Sequence, residues 1–370
     1  MNAIGIIFSD SYSSNDRHEL VQNRSCASLP IACRYRAIDF LLSGMVGAGI
    51  HAVGLLTKQN YGSLLDHIGS GKDWDLGRKN GGITMLTPYS HGNVAVPEMM
   101  SGKLDALRSI VSYIESTPGE YVIMGQGNMV ANINFNDVLK QHVRCGADIT
   151  IVHSIMKKPS DKSMIVAFDE QNNLCDVRYC RDANEADVAL NCYVMRKDFL
   201  LAFLDKANLF NWHDLTRDLI VRYMGKLRIC GHLHEGYAAI VSSVTDYYRC
   251  NMDILQPEVQ ADLFPEDSPV LTRIKDTVPT LYAYHARVSN TLLADGCEIN
   301  GAIENSIIFR NVTVEEGAEI KDCVIMQGTH IGKNVKLKHV ICDKNVTIGD
   351  GVELIGSAGY PYVLSKGSKI

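Results

Sequence analysis

The sequence lacks any run of apolar residues long enough to cross a bilayer, so we expect no contact with the membrane interior. It also lacks an excess of basic residues, because 36 lysines and arginines stand against 42 aspartates and glutamates, for a net charge of −6. This balance gives no electrostatic reason to expect binding to nucleic acid. No basic segment precedes the apolar run at residues 3–8, so we expect no secretory signal peptide.

Cysteine is plentiful, with 11 residues, but no Cys-x-x-Cys motif occurs. Without a secretory signal, these cysteines are expected to be reduced thiols of a cytoplasmic protein. Cys230, His232 and His234 alternate along one predicted strand, so their side chains share a face. A metal site is one interpretation of this pattern, but polar side chains on a half-exposed strand explain it more simply.

The length of 370 residues predicts two domains, since single cores rarely grow beyond about 300 residues. Residues 1–256 alternate apolar runs with segments of helical period, which predicts an α/β domain with a Rossmann-like, mixed, mostly parallel sheet. In such sheets, ligands bind at the carboxyl ends of the strands. The predicted strands are Ala3–Phe8, Ala52–Leu56, Tyr121–Met124 and Asp148–His153, and the predicted helices are Ile38–Gly49, Leu104–Ser116 and Asn136–Cys145.

The composition shifts after residue 256. Four prolines follow, at Pro257, Pro265, Pro269 and Pro279, and they predict that no regular helix forms in this stretch. We therefore expect residues 257–288 to be a linker, or an extended wrap, between two domains.

Residues 289–370 contain a repeat. Units of eleven and six residues alternate three times from Glu304 to Leu354, giving one coil about every 17 residues, with aliphatic residues in register. This pattern predicts a left-handed parallel β-helix in which each coil covers its neighbour. The corners require left-handed backbone angles, which glycine and asparagine tolerate best. The expected corner residues are Gly317, Gly328, Gly351, Asn311, Asn334 and Asn345.

A β-helix of this kind can hold subunits together, or it can carry acyltransferase activity. The second role needs a histidine with an activating partner at a coil interface. His330 and His339 lie in the repeat, but the sequence identifies no partner for either. The structural role is therefore favoured.

Two motifs and the order of the domains resemble one known family. Arg34–Ser43 (RYRAIDFLLS) resembles the KYRIIDFxLSN stretch of ADP-glucose pyrophosphorylases, also called glucose-1-phosphate adenylyltransferases. His213–Ile220 (HDLTRDLI) resembles their HDFGKDLIP motif. The resemblance covers nearly the whole chain and implies a nucleotidyltransferase domain followed by a left-handed β-helix. Within the family, the chain is most similar to the GlgD-type regulatory subunits.

The resemblance implies a reaction in which glucose 1-phosphate attacks the α-phosphate of ATP and releases pyrophosphate. Catalysis then depends on positioning and on neutralising phosphate charge with Mg²⁺, arginine and backbone amides. The family's glycine-rich loop, GGxGTR, aligns with residues 11–16, which contain no glycine. Asp16 stands at the arginine position, although a slip of one residue would place Arg17 there.

The two metal-binding aspartates of the family are also replaced. The family's GDH turn aligns with Gly125-Gln126-Gly127, and its WxDVGT motif aligns so that Ile240 stands at the aspartate position. Because Mg²⁺ in such sites relies on one or two carboxylates together with phosphate oxygens, the neutral Gln126 and the apolar Ile240 predict that this chain holds no metal ion. The resemblance then implies that Mg²⁺ is bound by a catalytic partner chain.

Parts of the substrate pocket could persist as vestiges. On the sugar side, the resemblance implies contacts from Arg178, Arg181, Tyr193 and Asp214. On the adenine side, Gly102 survives from the family's GTAxA motif. A sugar phosphate or a nucleotide is therefore a candidate ligand.

These expectations combine into a prediction of a catalytically silent or weak regulatory subunit. It would assemble with a homologous catalytic subunit, as an oligomer and most simply a tetramer, and change the activity of that subunit. One alternative is an active sugar-phosphate nucleotidyltransferase with a displaced metal site, for which the candidate acids include Asp10, Asp16 and Asp137. A scaffold that binds no ligand is another alternative.

Overall fold

A computed structural model describes residues 2–10, 19–87, 102–180 and 183–370. Asp16, Arg17 and Arg181 lie outside the described residues, so their predicted roles have no structural account. Within the described ranges, every helix is too short or too polar to pass through a membrane.

The N-terminal α/β region forms the elements that the alternating pattern predicts, with shifted ends. Its strands are β1 (Ala3–Phe8), β2 (Pro30–Ile31), β3 (Tyr35–Arg36), β4 (Ala52–Leu56), β5 (Gly82–Leu86), β6 (Tyr121–Gln126), β7 (Met129–Ala131), β8 (Ile149–Lys157), β9 (Met164–Phe168), β10 (Leu174–Tyr179), β11 (Glu185–Arg196), β12 (Ile229–Leu233) and β13 (Ala238–Ile240). Its helices are α1 (Ala37–Gly47), α2 (Gly62–Ile68), α3 (Lys103–Arg108), α4 (Val111–Ser116), α5 (Phe135–Cys145), α6 (Lys197–Leu209), α7 (Val244–Asp253) and α8 (Pro257–Leu263), with a π-helical turn at Thr216–Val221. The predicted helix Leu104–Ser116 is two helices, and at their junction the Ser109 hydroxyl donates a hydrogen bond to the Ala106 carbonyl.

The central sheet is mixed, as predicted. Its order is β10-β9-β11-β6-β1-β4-β5, with β8 paired to β11 and β12 paired to β8. Strand β1 pairs in parallel with β4 and β6, whereas β11 is antiparallel to β6, β8 and β9. Because β1 has helix-flanked parallel neighbours on both sides, its residues are buried from end to end.

Helices cover both faces of this sheet. Ile6 and Phe8 of β1 pack in one core cluster with residues of α3, α4 and α6, and Ile7 packs in a second cluster with residues of α1, α2 and α5. Successive side chains of a strand point to opposite faces, so one strand contributes to both cores. The arrangement leaves the strand ends as the place where a ligand can approach.

The segment predicted to be a linker contains regular structure, which corrects the prediction. Helix α8 begins at Pro257 because the first helical position needs no N–H donor. Further along, β14 (Leu281–Tyr282) and β15 (Arg287–Ser289) already pair with strands of the β-helix. The β-helix therefore begins before residue 289. Only the stretch between α8 and β14 runs as an extended strap, which we call strap 264–280.

The repeat folds into three five-stranded parallel sheets that form a left-handed β-helix. Val314 pairs with Ile331 and Ile331 with Ile348, which confirms the 17-residue register. Their side chains are buried inside the coil. The remaining strands are β16 (Leu292–Leu293), β17 (Glu298–Ile299), β18 (Ala302–Glu304), β19 (Ile307–Ile308), β20 (Thr313–Val314), β21 (Glu319–Lys321), β22 (Val324–Ile325), β23 (His330–Ile331), β24 (Lys336–Lys338), β25 (Val340–Cys342), β26 (Thr347–Ile348), β27 (Glu353–Ile355) and β28 (Tyr362–Leu364).

The predicted corner residues take left-handed backbone angles. Asn311, Asn334 and Asn345 have φ of 55°, 56° and 59°, and the glycines at 317, 328 and 351 have φ of 76°, 73° and 71°. Glycine and asparagine adopt this conformation at the lowest cost among the common residues. The corner prediction is therefore confirmed.

The two domains share a hydrophobic core. Phe40 of α1 and Tyr247 and Tyr248 of α7 lie in the same buried cluster as Ile307 and Ile341 of the β-helix. Arg24 adds a buried ion pair across the interface, with Nη2 at 2.5 and 2.7 Å from the two carboxylate oxygens of Asp343. The domains are thus joined by apolar burial and by a buried ion pair, in addition to strap 264–280.

Candidate functional site

The sheet changes direction at β1, which defines the expected ligand position. The chain passes from β1 to β4 on one side and later returns to β6 on the other side. In open α/β sheets, ligands bind outside the carboxyl ends of the strands at such a switch point. Phe8 and Gln126 are paired at the carboxyl ends of β1 and β6, so they mark the candidate cleft.

Gln126 ends β6 with its side chain largely buried, at 7% exposure. The turn after it is fixed by a hydrogen bond from Gly127 N–H to the Phe8 carbonyl at 2.9 Å. Asn128 follows and donates to the Val241 carbonyl at 2.9 Å. The frame of the turn is therefore intact, while the side chain at its centre is a neutral amide.

Ile240 lies beside this turn on β13. It is paired with Met129 of β7 in an antiparallel ladder, and its side chain packs against the apolar cluster on the α1 and α5 face of the sheet. The isoleucine side chain supplies no oxygen ligand, and it is partly buried against the apolar core. The residues at these two positions therefore do not fit Mg²⁺.

Of the candidate acids for a displaced metal, Asp10 and Asp137 lie in the described residues, and both contact other groups of the protein. Asp10 accepts hydrogen bonds from the backbone N–H groups of Lys58 and Gln59 at 2.9 and 3.4 Å, and burial raises its pKa. Asp137 pairs with Lys140 at 3.0 Å on exposed helix α5. In the part of the chain that the structure describes, no three histidine, cysteine or acidic side chains cluster as metal ligands would.

Cys230, His232 and His234, which alternate along β12, also do not form a metal-binding cluster. His232 Nδ1 lies 2.5 Å from Gln141 Oε1, and His234 Nε2 lies 3.3 Å from the Tyr237 carbonyl. Cys230 is buried, and burial raises the pKa of its thiol. These side chains thus contact different parts of the domain. This agrees with the simpler interpretation that they are polar side chains on one face of a strand.

The surviving residues of the adenine-side motif act in packing. A Cβ on Gly102 would lie 2.0 Å from the His213 carbonyl oxygen, so only glycine fits this contact. Leu104 N–H donates to the same carbonyl at 3.1 Å, and His213 Nδ1 lies 2.7 Å from Asp105 Oδ1. The structure therefore brings the Gly102 motif and the HDLTRDLI motif together, 111 residues apart in the chain.

Asp214 lies at the start of the π-helical turn, and its exposed carboxylate accepts from Arg217 N–H at 2.6 Å. Tyr193 is placed next to it, but in the core: its side chain is 1% exposed, and burial raises its pKa. The hydroxyl of Tyr193 is buried, and the predicted role of Tyr193 as a ligand contact stays a prediction. Tyr179, which the sequence did not indicate, lies near Asp214 and is 63% exposed.

Arg178 projects from β10 into solvent. Its side chain is 71% exposed and lies 4.0 Å from Asp176, so its guanidinium is available to an anion but is not positioned for one. Its predicted role stays a prediction.

A second site, which the sequence did not reveal, lies between the domains. We call it the cationic pocket. Arg36 at the start of α1 and Arg310 and Lys344 of the β-helix line it together with side chains of strap 264–280. No aspartate or glutamate is among the lining residues that the structure describes. The lining consists of Pro30, Cys33, Arg34, Tyr35, Arg36, His67, Arg273, Lys275, Phe309, Arg310, Gln327 and Lys344.

The repeat explains the β-helix side of the cationic pocket. Arg310, Gln327 and Lys344 are spaced by 17 residues, and each immediately precedes a left-handed corner residue. Gly328 N–H donates to the Arg310 carbonyl at 3.1 Å and Asn345 N–H to the Gln327 carbonyl at 3.0 Å, so successive coils stack at this corner. The spacing was a signal in the sequence, but nothing in it indicated which domain surface faces that corner.

His339 also has a partner that the sequence did not reveal. Its Nδ1 lies 2.8 Å from the Tyr248 hydroxyl, which itself donates to the Asp322 carbonyl at 2.7 Å. Because Tyr248 belongs to α7, this contact joins the two domains. The sequence identified no partner for His339, and the partner that the structure shows is a contact between domains, which supports the structural role of the β-helix.

Comparisons with known proteins agree with both halves of the fold. Residues 19–175 match the nucleotidyl transferase family model, and residues 278–358 match the model of the GlmU-like C-terminal hexapeptide. The chain is 33% identical to the glycogen biosynthesis protein GlgD of Bacillus subtilis (strain 168) over 364 residues, which are 98% of this chain and 96% of that protein.

Two further relatives are named as enzymes. The chain is 29% identical to the glucose-1-phosphate adenylyltransferase of Bacillus cereus (strain Q1), over 90% of this chain and 89% of that protein. It is 30% identical to the same enzyme of Fervidobacterium nodosum, over 87% of this chain and 78% of that protein. The chain therefore belongs to the family of the glycogen biosynthesis protein GlgD, which is related to the glucose-1-phosphate adenylyltransferases.

Proposed function

We propose that this chain is a catalytically silent or weak regulatory subunit for a homologous glucose-1-phosphate adenylyltransferase in glycogen synthesis. The observation that carries the proposal is the packing of Ile240 against the apolar core beside the neutral Gln126. Phosphoryl chemistry of this type needs charge at the position where these two side chains lie. Loss of one electrostatic group costs on the order of 10²–10³ in rate, so this chain alone should turn over far more slowly than a catalytic relative.

Regulation would act through contact between homologous chains. A subunit that binds the active conformer of its partner more tightly than the inactive one increases the population of the active conformer. The domain architecture supports this route, because a relative matched along nine-tenths of this chain would present the same two domains. An oligomer of both chains, most simply a tetramer, is part of the proposal.

The assay compares ADP-glucose synthesis by this chain alone, by a catalytic relative alone and by their mixture. An unrelated protein at equal mass replaces this chain in the control mixture. We expect almost no product from this chain alone, and a changed rate or effector response only in the true mixture. Ordinary turnover by this chain alone would contradict the silent role, and would favour the active nucleotidyltransferase. An unchanged mixture would contradict the regulatory role.

We infer further that the cationic pocket receives an anionic effector. Six arginines and lysines converge there, at Arg34, Arg36, Arg273, Lys275, Arg310 and Lys344. The lining also offers the Gln327 amide and the His67 ring as hydrogen-bonding groups. Such a set suits phosphate or a phosphorylated metabolite, because several charged donors meet several acceptor oxygens. Calorimetric titration with inorganic phosphate tests it: saturable binding is expected, and its absence would contradict the assignment.

A further inference from the structure

The two lysines of the cationic pocket, Lys275 and Lys344, differ from its arginines in their chemistry. The arginines there keep their charge at any ordinary pH, because a guanidinium does not deprotonate in proteins. Lys344 can lose its proton, and it is half-buried where the β-helix corner meets the N-terminal domain. The charge of Lys344 is therefore an adjustable part of the pocket.

The groups around Lys344 are mostly positive. Arg24 and Arg36 face it from the N-terminal domain, and Lys275 faces it from strap 264–280. The carboxylate next to it, Asp343, is already held by Arg24 in a buried ion pair at 2.5 and 2.7 Å. Asp343 also accepts from the Lys344 backbone N–H at 2.6 Å, so little of its charge remains for the Lys344 ammonium.

This environment disfavours the ammonium form in the free protein. Burial first, then Arg36 and Arg24, lower the pKa of Lys344 to about 7. Burial and the nearby Arg36, Arg273 and Arg310 also lower the pKa of Lys275. An anion in the pocket has the opposite effect, because its negative charge stabilises the ammonium.

We propose that anion binding in the cationic pocket is coupled to uptake of a proton by Lys344, so that the pocket responds to pH as well as to anion concentration. The inference rests on the anion assignment proposed above. Below neutral pH, Lys344 is already charged and the anion binds without a proton. As pH rises above 7, the bound state keeps a proton that the free state has lost, and the affinity falls by up to about tenfold per pH unit.

Three other titratable groups of the pocket do not change their charge in the pH range in which Lys344 titrates. Burial lowers the pKa of His67, whose Nε2 lies 2.6 Å from Asp39, so its ring stays neutral above pH 7. Burial raises the pKa of Cys33 to about 12 and raises that of Tyr35, so both stay neutral in this window. A proton taken up between pH 7 and 9 is therefore assigned to lysine.

The test is calorimetric titration with sulfate between pH 6.5 and 9, in two buffers of different ionisation enthalpy. Sulfate is the probe because it does not change its own protonation in this range, unlike phosphate. We expect weaker binding as pH rises, and a buffer-dependent heat that reports proton uptake. An affinity that is flat with pH, with no proton uptake, would overturn the coupling and leave the anion site standing. No sulfate or phosphate binding at any pH would overturn the anion site itself.

Two variants identify the group. Lys344→Arg keeps a charge that does not titrate, so its sulfate affinity should stay flat to pH 9. Lys336→Arg, on the exposed face of β24, is the matched control and should keep the wild-type pH dependence. A Lys344→Arg protein that still takes up a proton would overturn the assignment to Lys344. Thermal unfolding of both variants confirms that each is folded.

Discussion

Asp39 shows what the RYRAIDF motif contributes to the packing of this fold. Its carboxylate is fully buried and accepts from Arg36 N–H at 2.9 Å, at the start of α1. The same carboxylate accepts a hydrogen bond from the Thr272 hydroxyl at 2.6 Å and lies 2.6 Å from His67 Nε2. One side chain therefore fixes a helix end, α2 and strap 264–280 at once. These contacts give the RYRAIDF motif a structural reason to remain that is independent of catalysis.

We expect Asp39→Asn to destabilise the protein by about 3 kcal/mol, because breaking a buried charged network by changing one member typically costs this amount or more. The amide has the size of the carboxylate, but it cannot accept on both oxygen positions. Urea unfolding followed by circular dichroism measures the change in the free energy of unfolding.

Asp137→Asn is the matched control for Asp39→Asn. Asp137 is 54% exposed and pairs only with side chains of its own helix and its cap. Its replacement should change the free energy of unfolding by no more than about 0.5 kcal/mol. Equal effects of the two substitutions would mean that Asp39 does not hold the strap in place.

At the scale of elements, periodicity separates what the sequence could predict from what it could not. The corner angles of Asn311 and Gly317 were predictable, because a 17-residue repeat assigns each residue a place in the coil. Buried strands such as β1 were predictable from their apolar runs. The start of α8 at Pro257 was not, because proline marks a helix beginning as well as a break.

The candidate sites also differ in whether the sequence could reveal them. Gln126 and Ile240 could be identified as candidate positions because each stands within a short stretch of chain that aligns with a family motif. The cationic pocket could not be found, because Arg36, Arg273 and Lys344 come from distant parts of the chain and meet only when the domains pack. The burial of Tyr193 was hidden for a similar reason, since alternation along a strand does not say which face a helix covers.

We expect Gly317→Ala to destabilise the β-helix by at least about 1 kcal/mol, because alanine is disfavoured at a left-handed φ of 76°. The new Cβ would also lie 2.2 Å from Asn334 Oδ1, the side chain of the next coil at the same corner. Thermal unfolding should therefore begin at a lower temperature in this variant.

Gly47→Ala serves as the control for the corner substitution. Gly47 is at the end of α1, and a Cβ there would meet no atom within 4 Å. Alanine favours a helix over glycine by up to about 1 kcal/mol, so this variant should be neutral or slightly more stable. A Gly317→Ala protein as stable as Gly47→Ala would show that the corner angle is not constrained.

For the whole molecule, the shared core predicts that the two domains unfold together. Tyr247 is fully buried between them and donates its hydroxyl to the Pro30 carbonyl at 2.7 Å. Tyr248 reaches the β-helix through Asp322 and His339. A cluster that draws buried side chains from both domains resembles the interior of one domain more than a flexible hinge. The cationic pocket lies at the edge of this interface, so its geometry depends on the domains remaining docked.

The Arg24–Asp343 pair is the place to test this coupling. Both side chains are almost completely buried, at 3% and 6% exposure. Arg24→Met leaves the Asp343 carboxylate buried without its partner, and Asp343→Asn leaves the guanidinium without its counter-charge. Each single change should lower the free energy of unfolding by about 3–5 kcal/mol, as is typical when one half of a buried ion pair is removed.

The double variant decides whether the pair acts as a unit. With both charges removed, neither group is left buried alone, so the combined loss should be smaller than the sum of the single losses by at least about 1 kcal/mol. Urea unfolding is followed by circular dichroism and by the fluorescence of Trp74 and Trp212, which lie in the N-terminal domain. Coincident transitions in the wild type are expected if the domains unfold as one unit. The result that contradicts this prediction is an additive loss of unfolding free energy in the double variant, together with separate transitions in the wild type. The domains would then fold independently, and the ion pair would not couple them.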